Sequence, residues 1–484
     1  MRGDIIWRLE RADRATVIID AERYFEAARE ALLQARHRIM LVGWDFDARI
    51  RLSYEGERLP GEPATIGEFL YWLVQRTPGL ELYLLRWDMG ALRALFRGST
   101  IFTVLKWMRH PRIHTKLDGH HPTGASHHQK IVSIDDCMAF CGGIDMTANR
   151  WDTRAHRDDE PGRRGPTGKP YKPWHDATTA LSGPVAAALG ELCRTRWQRA
   201  SGQSLDPVLA DAPCWPQGLT PDFSGIEVAI ARTFPEMPGE EPVYEVERLF
   251  LAGIAAARRH LYIESQYFAS RKIAEAIARR LDEPDGPEIV LLNPVTADGW
   301  LQPIAMDTAR ARLMEALRRR DRHGRLVMYH PHTDGGGAIY VHAKIMVVDD
   351  RQLRIGSANF NNRSLRLDSE CDVQFDAGWA NGQDIAGTIR AIRDGLIAEH
   401  LGLEPERVAA AIDEDGSLIA AIERLRGDKG RLRPYEVPEL SSVEMWLAEN
   451  EVLDPEGPAE MFEPLSRRGL FRGRLRPPAR SKVR

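Results

Sequence analysis

The sequence predicts an α/β protein of two similar lobes. Each lobe is expected to be a mixed, mostly parallel sheet flanked by helices, with a functional site at the pseudo-two-fold interface. Three observations predict this. Helical and strand-like periods alternate along the chain. The same order of elements occurs twice. Each time the order closes on a similar stretch, "HHQKIVSIDDCMAFCGGIDMTANR" from His127 and "VHAKIMVVDDRQLRIGSANFNNRS" from Val341.

In the first half, "AERYFEAAREALLQARHR" carries a helical apolar period and leads into the strand "IMLVGW". A second helix follows. "GLELYLLRWD" then reads as a buried strand after a turn, "RIHTKL" as another, and the first motif hairpin comes next. In the second half the counterparts are "YEVERLFLAGIAAARRH", "LYIESQY", "GPEIVLLNPV", "RLVMYH" and the second hairpin. Strands alternating with helices build α/β layers. The halves span about residues 1–205 and 224–400, joined by a Pro/Asp-rich linker at 206–223. Residues 401–463 read as a helical and coil appendage, and 464–484 as a basic tail.

The chain has 484 residues, 43% hydrophobic and 28% charged, enough for two to three domains with a sizeable core. No run of 18 apolar residues suggests a membrane span. The start, "MRGDIIWRLERADRATV", lacks the apolar region of a signal peptide. A cytoplasmic or peripheral membrane location is expected, with export as an effector left open. The five cysteines show no CxxC spacing, so reduced, buried thiols are expected rather than a disulfide framework. The net charge of −4 argues against a nucleic-acid partner. The charge is uneven, because the tail from Pro464 holds eight basic residues and no acid. The rest of the chain has 58 basic against 70 acidic residues, a net −12. A phospholipid membrane surface is the expected partner, with this tail reaching anionic headgroups.

Each hairpin repeats one chemical spacing. His128 and Lys130 are followed by Asp135, and His342 and Lys344 by Asp349. After six intervening residues come Gly142-Gly143 in one copy and Gly356-Ser357 in the other. Two histidines and two lysines suit phosphodiester chemistry. Lysine ammoniums neutralise the non-bridging oxygens, and serine, asparagine and glycine-rich backbone complete a phosphate pocket. One imidazole can attack phosphorus, and the other can protonate the leaving oxygen and then activate the acceptor. No metal or other cofactor is required, and a lysine beside the site would repel a cation. Spacing selects His128 over its neighbour His127, which is given a structural or rim role. Asp135 and Asp349 belong to the motif and are expected to close their turns through backbone N–H groups.

This pair of motifs resembles the phospholipase D superfamily, whose signature is His-x-Lys-x4-Asp-x6-Gly-[Gly/Ser]-x-[Asn/Asp]. The blocks "CGGIDMTANRWD", "KPWHDATTALSGPVAAALGELCRTRWQ" and "LYIESQYF" are similar to those of the eukaryotic and plant-type enzymes, in the same order over about residues 20–400. The resemblance implies a compact phospholipase D. It would cleave headgroups of glycerophospholipids through a phosphohistidine, giving phosphatidic acid with water and a transphosphatidylated lipid with a primary alcohol. Carried over, His128 is the nucleophile and His342 the acid/base. Lys130, Lys344, Gly143, Ser357 and Asn359 hold the phosphate. Glu370 and Asp176 are the candidate acids that orient the two imidazoles, and Gln266 lines the rim. Asp145 departs from the second copy, which has Asn359, and is expected to point away from the phosphate. The first motif begins 127 residues in, and the calcium-binding or phosphoinositide modules of larger relatives are therefore not expected. A cardiolipin-synthase-like phosphatidyltransferase and a nuclease are the alternatives. A non-catalytic lipid-binding scaffold would have lost a motif histidine or lysine, and both pairs are intact.

Overall fold

The computed structural model describes residues 4–53, 58–88, 100–210, 214–297, 306–379, 384–427 and 430–438. The basic tail and the end of the expected appendage lie outside these residues.

The first half runs β1 (Arg8–Ile19), α1 (Ala21–Leu33), β2 (Arg38–Gly43), α2 (Ile66–Arg76), β3 (Glu81–Trp87), α3 (Thr100–Met108), β4 (Ile113–Asp118), β5 (Ile131–Ile134), β6 (Met138–Gly142), β7 (Trp174–His175), β8 (Ala177–Ser182) and α4 (Pro184–Ser201). The second runs β9 (Phe223–Phe234), β10 (Val243–Tyr244), α5 (Glu245–Ala256), β11 (His260–Glu264), α6 (Arg271–Leu281), β12 (Glu288–Leu292), α7 (Thr308–Arg320), β13 (Leu326–Pro331), β14 (Tyr340–Val341), β15 (Ile345–Val348), β16 (Gln352–Gly356) and β17 (Glu370–Asp376). Then come α8 (Ile385–Leu401), α9 (Pro405–Asp415), α10 (Leu418–Arg426) and β18 (Leu432–Pro434).

The two halves share one mixed sheet of 16 strands. Its order is β18-β13-β12-β11-β15-β16-β17-β9-β1-β8-β6-β5-β2-β3-β4, with β10 beside β9. Apart from β18, the order reads as a palindrome about the antiparallel pair β1–β9. Each strand of one half thus has a counterpart in the other, and β8 matches β17.

The expectation of a mostly parallel sheet is corrected. Within this sheet, among the described residues, only β2–β3–β4 and β11–β12–β13 pair in parallel, because helices α2, α3, α6 and α7 supply the crossovers. The motif hairpins have tight turns and must pair antiparallel. Two further features were not foreseen. Helices α3 and α7 separate strands read as adjacent. Strand β18 joins the edge of β13, so the chain beyond 401 completes the second half as well as following it.

Apolar residues alternate across the strands to serve two faces. Helices α1 and α2 cover one face of the first half, and α5, α6 and α7 one face of the second. Helices α4 and α8 belong to a core layer common to both halves, through Leu189, Leu192, Leu396 and Ile397. Pro184 opens α4 and Gly202 closes it in the left-handed conformation, at φ 77°.

Cys137 and Cys214 form a disulfide, which corrects the expectation of reduced thiols throughout. Their separation of 77 residues gave no local spacing to read. The bond fastens the linker to the β5–β6 turn. Cys141, Cys193 and Cys371 are free and buried. Among the described residues, no helix is long and apolar enough to cross a membrane.

Candidate active site

The site is built where the two halves exchange short backbone contacts. Strands β7 and β14 pair in parallel, Tyr340 with Trp174 and Val341 with His175. The His342 N–H donates to the His175 carbonyl at 2.7 Å. This contact sets the His342 Nδ1 2.6 Å from Asp176 Oδ2. The other histidine repeats the arrangement. A parallel bridge joins His127 to Ser369, and the His128 N–H donates to the Ser369 carbonyl at 2.9 Å. The His128 Nδ1 lies 3.0 Å from each Glu370 carboxylate oxygen. Each imidazole from one half is therefore held by an acid from the other. Asp176 immediately precedes β8 and Glu370 opens β17, so the two acids occupy equivalent places in the palindrome. With Nδ1 engaged, Nε2 is the ring nitrogen presented to a substrate.

The lysines lie beside the histidines rather than along a strand face. Both precede their strands, β5 and β15. The Lys130 ammonium donates to the His128 carbonyl at 2.7 Å, and that of Lys344 to the His342 carbonyl. Gln266 Oε1 lies 3.4 Å from both Lys344 Nζ and Asn359 Nδ2, and its amide donates to the Tyr340 and Tyr267 hydroxyls at 2.9 Å. His342, both lysines, Gln266 and Asn359 are buried, and His128 is nearly so.

The electrostatics follow from burial and from the clustering of cations. Burial and the nearby Lys344 charge hold the His342 imidazole well below its usual range. Burial and Lys130 bring the Lys344 ammonium down to about 7, against the pull of Asp176. Burial alone would raise Asp176, but His342 and Lys344 outweigh it and hold the carboxyl at about 2. Glu370 is likewise kept below the usual range by His128 and Lys130, although burial opposes this. Two ionised carboxylates thus hold two imidazoles beside two crowded ammoniums, a site organised to receive negative charge.

Several residues have different work from that expected. Gly143 donates its N–H to the Ala177 carbonyl at 2.8 Å, so this group is not free for a phosphate. Its lack of a side chain matters more, because a Cβ would stand 2.2 Å from Asp176 Oδ1. The Ser357 hydroxyl donates to Glu370 and accepts from the Cys371 N–H at 3.0 Å, bracing the acid. Asp145 does not point away: its Oδ2 is 3.3 Å from Lys130 Nζ, while its Oδ1 accepts from the Trp44 N–H at 3.1 Å. Asp135 and Asp349 lie at the far ends of β5 and β15. They accept the N–H groups of residues 36–38 and 258–260, which begin the neighbouring strands, rather than those of their own turns. Each has positive φ, 49° and 52°. His127 is buried between Asp118, at 3.1 Å, and Ser369, at 2.8 Å.

The sequence reading missed Arg150. Its guanidinium lies 4.1 Å from the centre of the Trp174 ring and depresses both His342 and Lys344. It also missed a buried set behind the site. Asp20, His156, His175 and Glu399 bring ligand atoms within 4.8 Å of one another, as do His175, Glu264 and His400. Imidazole and carboxylate donors of this kind suit a divalent cation. Burial alone would lower His156, but Asp20, Asp152 and Glu399 outweigh it and raise it to about 9. These residues come from separate segments, so no spacing marked them. His175 precedes Asp176, which ties this set to the site.

Residues 31–215 match the family described as Phospholipase D. Residues 250–385 match the family described as Cardiolipin synthase, PLD-like domain. The two matches fall one on each half. The chain belongs to the phospholipase D superfamily.

Within that superfamily, the chain is 24% identical to phospholipase D alpha 1 of Carica papaya, over 80% of this chain and 66% of that one. It is 25% identical to phospholipase D alpha 1 of Arabidopsis thaliana, over 80% and 65%. It thus spans just under two thirds of the length of these plant relatives. The phosphatidylserine synthase of Haemophilus influenzae has a similar fold, with TM-score 0.58, 13% identity, and coverage of 87% of this chain and 99% of that one.

Proposed function

We propose that this superfamily member is a phospholipase D-type phosphodiesterase and transphosphatidylase acting on glycerophospholipids through a phosphohistidine. The observation that carries the reading is the crossed pair of imidazoles, each with Nδ1 held by a buried carboxylate, beside two lysines. His128 Nε2 attacks phosphorus, and the bond to the headgroup oxygen breaks. His342 delivers a proton to that oxygen. His342 then takes a proton from water or an alcohol, whose oxygen displaces His128 from phosphorus. Phosphatidic acid or a new phosphatidyl ester leaves. Lys130, Lys344 and the Asn359 amide stabilise the phosphoryl oxygens. An arriving phosphate offsets the repulsion between the lysines and so lets His342 carry the proton it must deliver. The plant relatives named phospholipase D support a lipid substrate.

A second reading has the same chemistry with a lipid-borne alcohol as acceptor. The cardiolipin-synthase description matched by the second half favours it. One experiment addresses both: mixed phospholipids and a primary alcohol are incubated with the purified protein, and products are followed by mass spectrometry. Phosphatidyl-alcohol and phosphatidic acid are expected, and both should be absent with His128→Asn. Formation of lipid-to-lipid transfer products alone would favour the second reading. No lipid product, with turnover of nucleic acid or another phosphodiester, would overturn both.

The Lys344 ammonium gives a pH dependence of known sign. A cation with pKa near 7 is present below that pH and lost above it. Competitive inhibition by sulfate, which does not titrate in this range, should therefore weaken as pH rises through about 7. Lys344→Met should flatten the profile. A wild-type inhibition constant that stays level from pH 6 to 8 would contradict this account.

A further inference from the structure

Helix α3 presents an outward face with an unusual composition. Trp107 is fully buried, and its indole donates to the Gly67 carbonyl of α2 at 3.2 Å. The Thr103 side chain packs so closely there that a Cβ on Gly67 would stand 2.8 Å from its methyl group. This docking turns the opposite side of α3 to solvent. There Phe102 is 71% exposed, Leu105 45% and Met108 64%, and Leu117 on the edge strand β4 is 51% exposed. Of the seven exposed large apolar side chains among the described residues, these four fall within 16 consecutive positions. Single exposed apolar residues are ordinary, whereas a concentration of them marks a contact surface.

The charges on the same surface suggest what covers it. Lys106 lies on the Phe102–Leu105 stripe, and Arg109 continues the stripe just past the helix end. Both are exposed. Lys106 pairs with Glu68 at 2.9 Å, while Thr100–Leu117 contains no acid in a chain of net charge −4. Apolar side chains interleaved with cations match the headgroup region of an anionic bilayer. Acyl chains receive Phe, Leu and Met there, while phosphates receive Lys and Arg. A second copy of this chain is a poor occupant, since a two-fold contact through this face would bring its cations together.

The face is also continuous with the site. Strand β4 ends at Asp118, which holds His127, the neighbour of His128, at 3.1 Å. Leu117 thus lies at the site end of β4. Phe102 lies in the first turn of α3, at the same end, because the helix runs antiparallel to β4 and returns the chain to its start.

We infer that the exposed face of α3, with Leu117 of β4, docks the protein onto anionic phospholipid bilayers. The surface would hold the seam against the membrane that supplies its substrate. The inference names a partner for the function proposed above and rests on that reading for its purpose, but not for its test.

The test uses the full chain with vesicles of phosphatidylglycerol and phosphatidylcholine, and with phosphatidylcholine alone. Phe102→Ser, Leu105→Ser and Met108→Ser together should weaken partitioning onto the mixed vesicles at least tenfold. Arg109→Glu should weaken it on the mixed vesicles, reduce its salt dependence and leave phosphatidylcholine binding unchanged. Thermal unfolding within a few degrees of wild type confirms that each variant is folded. Wild-type partitioning by both folded variants would overturn the inference. So would loss of self-association in the triple variant with vesicle binding intact, which would assign the face to a second copy. If the wild type turns over no lipid yet loses vesicle binding in the variants, the docking surface stands and the functional reading falls. If it turns over lipid and the variants bind normally, the reverse holds.

Discussion

Asparagine in place of His128 is expected to lower turnover by about four orders of magnitude or more, because it removes the atom that bonds to phosphorus. His342→Asn should be nearly as damaging on a phospholipid, but for a different reason, and the two can be separated. A phosphodiester with a p-nitrophenol leaving group departs without help from an acid. With such a substrate, radiolabelled at phosphorus and quenched in base, His342→Asn should accumulate labelled protein, since transfer of phosphorus to His128 proceeds and the acceptor is not activated. His128→Asn should carry no label. The palindromic sheet makes the two histidines near equivalents, so label on the His128→Asn protein would exchange their roles while leaving the two-step chemistry in place.

Asp176→Asn is the second large effect, about 10²–10⁴-fold in kcat with KM little changed. The carboxylate accepts the Nδ1–H of His342 at 2.6 Å and the Ala177 N–H at 2.8 Å. An amide can satisfy the backbone group. Its NH₂, however, would face Nδ1 as a donor and place the imidazole proton on Nε2, the wrong tautomer for accepting a proton from water. Steady-state kinetics on the folded variant decides the matter, and activity within tenfold of wild type would remove Asp176 from its positioning role. Glu370 is held more firmly, since the Ser357 hydroxyl also donates to it.

The sequence carried the repeat and the four motif side chains because both are local. His128 and Lys130 are two residues apart, and so are His342 and Lys344, so their spacing survives without knowledge of the fold. Glu370 and Asp176 were reached separately, as candidates on family resemblance. Their equivalence emerges only when β17 is laid against β8 in the sheet. Gly143 and Ser357 were read as phosphate contacts because the motif places them beside the histidines. What decides their roles is a non-local packing fact: the carboxylate of Asp176 fills the space a Cβ would need, and Glu370 takes the serine hydroxyl. The parallel sheet was over-read because alternating helices and strands imply crossovers, and the hairpins after each motif contribute more antiparallel pairs than the crossovers contribute parallel ones. The Asp20, His156, His175 and Glu399 set had no signal at all, as its members meet only after α1, β7 and α8 have packed.

The crossing of acids between the halves has a consequence for how this chain can vary. A substitution in one half acts on the histidine of the other, so neither half is an independent unit of inheritance for the chemistry. If such a molecule descends from a duplicated gene, its ancestor functioned only as a pair of copies. Joining the copies freed their outer helices to diverge, while β7, β14 and the residues around Ser369 stayed answerable to each other. Complementation follows the same logic: two inactive full-length chains, one lacking His128 and the other lacking Glu370, carry their lesions in a single imidazole–carboxylate unit. Mixing them should restore nothing unless whole halves change places.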